Sequence, residues 1–230
     1  MIILAVDTSG PACGVAVTRD GQPVYEAAAV NKHTHSASLL PMISEALSRC
    51  GLSVEDVDLF ATVIGPGSFT GVRIGVSTVK GMAHGAGKPC AGVNALQALA
   101  AGISQTGALI CPIQDARAGQ VYGAAFQSGM PPARVVDDMA AQLETYLDKV
   151  LQAAKDGQKL LFIGDGVQTY RQAIEQALGS RAAFPPAHLN GLRPSAAALL
   201  AQFETPVDYL TLLPLYLRAP QAERARRGKP

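Results

Sequence analysis

Each half of the chain begins with a mostly apolar run that ends at an aspartate. Ile2–Val6 precedes Asp7, and Ala108–Gln114 precedes Asp115. Short apolar runs of this kind predict strands that are buried in a sheet. In both halves a second predicted strand returns beside the first, and predicted helices and further strands follow. Antiparallel first strands joined to later strands by crossover helices imply a mixed sheet in each half.

The two halves share this order of elements although their sequences are not similar, which suggests a structural repeat. Two lobes of β-β-β-α-β-α order, facing each other across a cleft, describe the actin-like nucleotide-binding architecture. We therefore predict an α/β protein of two actin-like (ASKHA, ribonuclease H-like) lobes, each a mixed β-sheet with flanking helices. The predicted N-terminal lobe spans residues 1–105, the C-terminal lobe spans 106–217, and residues 218–230 form a basic, flexible tail.

Local signals predict where several elements begin and end. Asp20-Gly21 is a strong hairpin turn signal. Apolar residues at helical spacing predict a helix over Ser36–Cys50. Further helices are predicted from Val72 for about sixteen residues and over Met139–Ala154. Ser195–Gln202 is predicted to be the last helix, within the second lobe.

Charge is low and unevenly distributed. The chain has 19 basic and 18 acidic residues, a net charge of +1, which argues against a protein that coats nucleic acid. Arg218–Pro230 contains five basic residues and one acidic residue, a net +4, so the rest of the chain carries −3. This tail could contact RNA phosphates, but no aromatic residue follows Tyr216, and a solvated terminus is the favoured interpretation.

Composition also predicts the compartment. The chain is 48% hydrophobic, which excludes global disorder, and its four cysteines form no CxxC pair and are expected to be free thiols. No apolar run approaches the ~20 residues of a membrane span. The first strand lacks the basic start and cleavage site of a signal peptide. We expect a cytoplasmic protein with no membrane contact.

The loop Gly65–Gly71, between a predicted strand and helix, is the most informative segment. Free N–H groups and the helix dipole at such a position favour anions. The loop is neither a Walker A motif nor a dinucleotide fingerprint, and no nucleophile elbow surrounds Ser68. A structural turn, with Ser68 or Thr70 capping the helix, is about as well supported as an anion site. In that helix, Gly71 and Gly75 share a face that could meet a partner helix.

Five segments together resemble one family, the TsaB (YeaZ) family, over nearly the whole chain. They include the specific string Gly65-Pro-Gly-Ser-Phe-Thr-Gly-Val-Arg-Ile-Gly75 and the start Ile3-Leu-Ala-Val-Asp-Thr-Ser9. The other three are His35-Ser36 with Leu39-Leu40-Pro41, Asp115-Ala-Arg117 with Val121-Tyr122, and Pro214-Leu-Tyr-Leu-Arg218.

The resemblance implies a non-catalytic scaffold or activator. Its partner would be the paralogous enzyme TsaD, which transfers threonylcarbamoyl to the tRNA adenosine beside the anticodon. It further implies that the ATPase TsaE joins, that the chain forms a homodimer when alone, and that tRNA is met through the complex. No cofactor is expected for this chain, with ATP or ADP left open for the complex. The predicted partner-binding residues are Leu39, Leu40, Ile43, Leu47, Phe69, Val72, Gly75, Val76 and Val79.

A nucleotide cleft is the second site that the resemblance leaves open. Its candidate residues are Asp7, Thr8, Ser9, Asp115, Arg117, Gly164 and Gly166. Both aspartates could organise phosphate and magnesium, or could accept N–H bonds from their own turns. TsaD carries an H-x-x-x-H metal pair, whereas this chain has His33-Thr-His35. Because a metal needs a third protein ligand, no metal site is predicted.

Three alternatives come from other functional classes. A free-standing ATPase or small-molecule kinase of the same fold would turn over nucleotide through Asp7 and Asp115. A peptidase would need a metal site or an activated nucleophile, and the sequence shows neither. A direct tRNA-binding module would depend on the basic tail.

Overall fold

The computed structural model describes residues 1–30, 34–103 and 107–218 and folds them into two five-stranded sheets. The strands are β1 (Ile2–Asp7), β2 (Cys13–Arg19), β3 (Gln22–Ala29), β4 (Leu59–Gly65), β5 (Cys90–Asn94), β6 (Leu109–Arg117), β7 (Gln120–Gln127), β8 (Ala133–Gln142), β9 (Leu160–Ile163) and β10 (Ala182–Ala183). The helices are α1 (His35–Cys50), α2 (Phe69–Ala86), α3 (Ala95–Ala101), α4 (Leu143–Ala153), α5 (Gly166–Leu178) and α6 (Pro194–Leu200). None of these helices is long and apolar enough to cross a bilayer.

Both sheets are mixed, as predicted. In the first sheet, of order β3-β2-β1-β4-β5, strand β1 pairs antiparallel with β2 and parallel with β4. In the second, of order β10-β9-β6-β7-β8, strand β6 pairs antiparallel with β7 and parallel with β9. The equivalence of β1 and β6 gives Asp7 and Asp115 corresponding places. Asp20 and Gly21 both have positive φ, which confirms the predicted hairpin turn.

The first sheet is covered on both faces because side chains alternate along β1. Leu4 and Val6 belong to the cluster that includes the inner faces of α1 and α2. Ile3 and Ala5 belong to the opposite cluster, with the alanines of α6. Small side chains on this second face let α6 lie close to the sheet.

The second sheet is also covered on both faces. Helices α4 and α5 cover one face, where Tyr146 is fully buried and its hydroxyl donates to the Ala124 carbonyl at 2.8 Å. Leu96 and Leu99 of α3 cover the other face, where they belong to the same cluster as Phe126 of β7. Since Ala98 of the same helix packs on the first sheet, α3 is shared by both lobes.

The predicted lobe boundaries need a correction at the C-terminal end. Helix α6 lies in the range 106–217 but packs on the first sheet. The segment after it stays there, because Val207 bridges to Cys90 and the Leu215 N–H donates to the Ile64 carbonyl at 2.7 Å. The chain therefore returns to the N-terminal lobe. Apolar patterning shows that a helix is buried but not which sheet it covers, so the sequence could not reveal this return.

Two predicted helix starts are also wrong. Helix α2 begins at Phe69, three residues before the predicted Val72, because Ser68 caps it and accepts a hydrogen bond from the Gly71 N–H at 3.2 Å. Residues 139–142, predicted as helix, continue β8, since Val121 pairs with Ala141 across the β7–β8 ladder. Cross-strand pairing outweighs the helix propensity of these residues. Helix α4 therefore begins only at Leu143.

A cleft between the lobes as the candidate site

A cleft of about 530 Å³ lies between the two lobes. One wall consists of the β4–α2 loop and the turn after β1. The other consists of the end of β6, the β6–β7 turn and Asp165. The C-terminal residues of the described chain complete the lining. The lining residues are Ser9, Gly10, Pro11, Pro66, Gly67, Ser68, Phe69, Thr70, Gln114, Asp115, Ala116, Arg117, Tyr122, Asp165, Leu215, Tyr216, Leu217 and Arg218.

The two strand-end aspartates form the same kind of turn. Asp7 Oδ1 accepts the Ser9 N–H at 2.8 Å, and Asp115 Oδ1 accepts the Arg117 N–H at 2.7 Å. Asp7 Oδ1 also accepts the Ser9 hydroxyl at 2.6 Å. The alternative in which each carboxylate stabilises its own turn is thus confirmed.

The two aspartates differ in exposure, and a third carboxyl group lies close by. Asp7 is buried and its pKa is raised by that burial, whereas Asp115 is exposed. Burial also raises the pKa of Asp165 to about 6, and the charge of Asp115 acts in the same direction. Gln114 Oε1 and Asp165 Oδ1 are buried without a hydrogen-bond partner in the described chain. The cleft lining therefore contains one carboxyl group, Asp165, whose charged form is disfavoured by burial, and two unpaired acceptor atoms.

We expect Asp165→Asn to raise the free energy of unfolding at pH 7.5 by about 2 kcal/mol. The pKa of this carboxyl is about 6 in the folded chain, against an ordinary value of 3.8. The folded state consequently binds more protons between these values, and stability falls as the pH rises through that window. The free energy of unfolding, measured by denaturation at pH 4 and at pH 7.5, should fall less between these two pH values in the variant than in the wild type. An equal fall in the free energy of unfolding in wild type and variant would refute the prediction. The control for removal of a charge is Asp148→Asn, at an exposed position of α4.

The glycine-rich loop contacts the turn after β1 through its backbone. The Ser68 N–H donates to the Ser9 carbonyl at 2.7 Å. A Cβ on Gly67 would lie 2.4 Å from that carbonyl oxygen, and one on Gly71 would lie 2.0 Å from the Thr8 oxygen. Only glycine permits such approaches. The structural interpretation, with Ser68 as the cap, is confirmed, and the N–H groups of Ser68 and Gly71 are not available to an anion.

An aromatic cluster forms one side of the cleft mouth. The ring centroids of Phe69 and Tyr216 are 4.9 Å apart. The Arg73 guanidinium lies over the Phe69 ring at 3.8 Å, and Arg73 Nε donates to the Tyr216 hydroxyl at 2.8 Å. The tilted ring contact with Phe69 and the hydrogen bond from Arg73 together hold Tyr216 in place.

The C-terminal segment joins the two lobes across the cleft. Arg218 Nη1 donates to the carbonyl of Ala116, in the second lobe, at 3.0 Å. Arg218, the first residue of the predicted flexible tail, is therefore held in place. Residues 219–230, which carry the rest of that tail, lie outside the described residues.

Three of the seven predicted cleft residues line the cleft, and the other four do not. Ser9, Asp115 and Arg117 line the cleft. Asp7 and Thr8 lie behind it, and the Thr8 hydroxyl donates to the Gly71 carbonyl at 2.7 Å. Gly164 and Gly166 contact the backbone of the neighbouring strand instead, where a Cβ would lie 2.1 Å and 3.1 Å from the Ile113 oxygen. Among the lining residues that the sequence prediction missed are Gln114, Asp165, Tyr216 and Arg218.

A signal for two of these was present. Gln114 is the single polar residue between an apolar run and Asp115, and Asp165 follows a buried strand between two glycines. Polar residues at the carboxyl ends of neighbouring parallel strands meet at one edge of a sheet. Tyr216 and Arg218 had no comparable signal, because only the folded chain brings the C-terminal segment to the cleft.

The predicted partner-binding residues need a correction. Seven of the nine are buried in the monomer: Leu39, Ile43, Leu47, Val72, Gly75, Val76 and Val79. The main apolar face of each helix covers its own sheet. Gly75 also points inward, since a Cβ there would lie 2.7 Å from Thr8 Oγ1. Of the nine, Leu40 is 58% exposed and Phe69 is half-buried.

The histidines that the structure describes belong to no metal-ligand cluster. His35 is the first residue of α1, not part of a strand, and its Nε2 lies 3.0 Å from the Gly10 carbonyl. His33 lies outside the described residues. Within residues 1–30, 34–103 and 107–218, no group of three or more His, Cys, Asp or Glu side chains could hold a metal ion.

Comparison with known proteins identifies the family. The family model of TsaD, described as tRNA N6-adenosine threonylcarbamoyltransferase, matches residues 28–225. The tRNA threonylcarbamoyladenosine biosynthesis protein TsaB of Bacillus subtilis is 35% identical over 225 residues, which cover 97% of this chain and 96% of that protein. The chain belongs to the TsaB family. The TsaB protein of Escherichia coli is 41% identical to this TsaB-family chain over 135 residues, 55% of each.

Solved structures agree with this assignment. YeaZ from Pseudomonas aeruginosa has a TM-score of 0.76 and 26% identity, and the match covers 94% of this TsaB-family chain and 99% of YeaZ. The ethanolamine utilization protein EutJ from Carboxydothermus hydrogenoformans, with a TM-score of 0.52, 15% identity and coverage of 87% and 90%, shares the fold alone. The predicted fold class, two actin-like lobes with mixed sheets and flanking helices, is confirmed. The alternative of a free-standing kinase is not favoured by these relatives.

Proposed function

We propose that this TsaB-family chain is the non-catalytic partner of a TsaD-like enzyme. The complex would transfer threonylcarbamoyl to the tRNA adenosine next to the anticodon. The observation that carries the proposal is the identity over nearly full length to a relative named for tRNA threonylcarbamoyladenosine biosynthesis. Because the chain also matches the family model of the transferase, a paralogous partner is the natural one.

The use of the cleft carboxylates supports a non-catalytic role. Asp7 and Asp115 each accept hydrogen bonds from the turn that follows them. Burial raises the pKa of Asp7, which disfavours the charged form that magnesium would need. We therefore assign no cofactor to this chain and place any ATP or ADP elsewhere in the complex.

A partner surface is available on the outer sides of α1 and α2. These helices lie next to each other on the same face of the first sheet. Leu40, Ser44 and Ser77 are exposed there, and nothing lies within 4 Å of a Cβ at Gly81. Small side chains let another backbone approach, and an exposed leucine supplies apolar contact. We propose this outer face, in place of the buried stripe, as the surface for the TsaD-like paralogue.

Three further partners belong to the proposal. A second copy of the chain would occupy the outer face when the paralogue is absent, which gives a homodimer. A TsaE-like ATPase would join the heterodimer, and tRNA would be met through the complex, in the cytoplasm.

Deletion of the gene followed by mass spectrometry of tRNA nucleosides tests the role. We expect threonylcarbamoyladenosine to disappear and to return when the wild-type gene is restored. Unchanged threonylcarbamoyladenosine, in a genome with no second copy of the gene, would contradict the proposal. Nucleotide turnover by the isolated chain that depends on Asp7 would instead support the kinase or ATPase alternative.

A further inference from the structure

We propose that the mouth of the cleft binds a nucleotide unit of single-stranded RNA. The proposal rests on the proposed function, because the relatives are named for a tRNA modification. It differs from the predicted nucleotide cleft in the ligand and in every residue except Arg117. Arginine, aromatic and buried acceptor groups meet here, and each matches one part of a nucleotide.

The positive charge at the mouth has no paired carboxylate. Arg117 and Arg218 line the cleft, and neither is in an ion pair with an acidic residue of the described chain. Arg218 donates to a carbonyl oxygen, and its guanidinium makes no ion pair within the described residues. The acidic residues of the lining are Asp115 and Asp165, on the same wall as Arg117, whereas the β4–α2 loop of the facing wall contains no Asp or Glu. A phosphodiester group at the mouth would give both arginines an ion-pair partner.

The aromatic cluster provides a stacking platform beside these arginines. Tyr216 is 41% exposed and lines the cleft together with Phe69. Arg73 holds the pair in position through its contacts with both rings. An exposed ring that is already fixed can stack on a base at a small entropic cost.

Two buried acceptors complete the site. Gln114 is only 5% exposed, and its Oε1 has no hydrogen-bond partner in the part of the chain that the structure describes. Asp165 Oδ1 is also a buried atom without a hydrogen-bond partner in the described residues. A buried acceptor gains most from an added donor. The amino groups of bases and the ribose 2′-hydroxyl are such donors.

The cleft suits one nucleotide unit better than a nucleoside triphosphate. Its volume of about 530 Å³ is within the usual range of small-ligand sites. The Ser68 and Gly71 N–H groups of the glycine-rich loop, where a triphosphate would be held, are already bonded within the protein. A nucleotide unit could come from RNA or from a free mononucleotide, and the experiment separates these sources.

Binding of a fluorescently labelled anticodon stem–loop RNA to the complex with the TsaD-like enzyme tests the proposal. We expect the double variant Arg117→Ala/Arg218→Ala to bind at least about tenfold more weakly. The slope of log K against log salt should fall by about one, because the two arginines together neutralise the one phosphodiester group of the nucleotide unit. Arg19→Ala removes a charge at the far end of β2 and should leave both values unchanged. Wild-type affinity in the double variant, or an equal weakening in Arg19→Ala, would overturn the proposal.

Variants of Tyr216 separate stacking from charge. Tyr216→Leu should weaken RNA binding about tenfold without changing the salt slope, whereas Tyr216→Phe keeps the ring and should retain affinity.

AMP and ATP serve as competitors. If either occupies the cleft more tightly than the RNA does, the source is a free nucleotide and the RNA assignment fails. Co-purification with the enzyme is measured in parallel. Its persistence in variants that no longer bind RNA separates this proposal from the proposed partner role.

Discussion

Gly71→Ala should lower the free energy of unfolding by about 3 kcal/mol and the melting temperature by about 10 °C. A Cβ at this position would lie 2.0 Å from the Thr8 carbonyl oxygen and 3.2 Å from the Ser68 Cβ. Neither neighbour can move freely. The Thr8 oxygen belongs to the backbone after β1, and Ser68 caps α2. Helix α2 must therefore shift away from the sheet, which opens the core beneath Val72.

Gly81→Ala is the matched control because it lies in the same helix and has nothing within 4 Å of its Cβ. At an exposed interior helix position, alanine should stabilise the protein by about 0.5–1 kcal/mol. Thermal and chemical denaturation of the two variants compare them directly. Two stable variants would show that the contact between α2 and the turn after β1 is not rigid.

Leu40→Asp should reduce affinity for the TsaD-like partner by at least about a hundredfold without changing the stability of the monomer. Leu40 is exposed, so the substitution disturbs no core contact, but it places a charge at the centre of the proposed surface. Co-purification and a binding titration with the partner measure the effect. The same variant should be monomeric if the homodimer uses the outer face.

Phe203→Asp is the matched control for Leu40→Asp. Phe203 is 57% exposed, close to the 58% of Leu40, and follows α6 on the opposite face of the sheet. The Phe203→Asp variant should bind the partner with wild-type affinity. Full binding by a folded Leu40→Asp protein would exclude the outer face of α1. Gly75→Arg cannot serve this purpose, because its side chain would enter the monomer core.

The local features that the sequence predicted depend on short-range chemistry. The Asp20-Gly21 turn, the Ser68 cap and the buried strand β1 each follow from a few neighbouring residues. The same chemistry explains the two aspartate turns. Where local propensity competed with strand pairing, as at residues 139–142, the prediction failed because the partner strand is distant in sequence.

The partner surface shows a different limit. Leu39 and Val76 were predicted to meet another protein because the family resemblance implies pairing through these helices, yet both residues are buried against the first sheet of the same chain. Periodicity identifies a buried face but does not name what buries it. Leu40, on the other side of α1, is exposed.

By itself the sequence determined the order of elements, two mixed sheets and the family resemblance through the Gly65–Gly75 string, because these depend on patterns along the chain. Only the tertiary structure decided which sheet α6 covers and that the last described residues reach the cleft. Tyr216 contacts Arg73, 143 residues away in sequence, and Arg218 contacts Ala116, 102 residues away. Such contacts form because packing and loop closure favour them, and no local pattern records either effect.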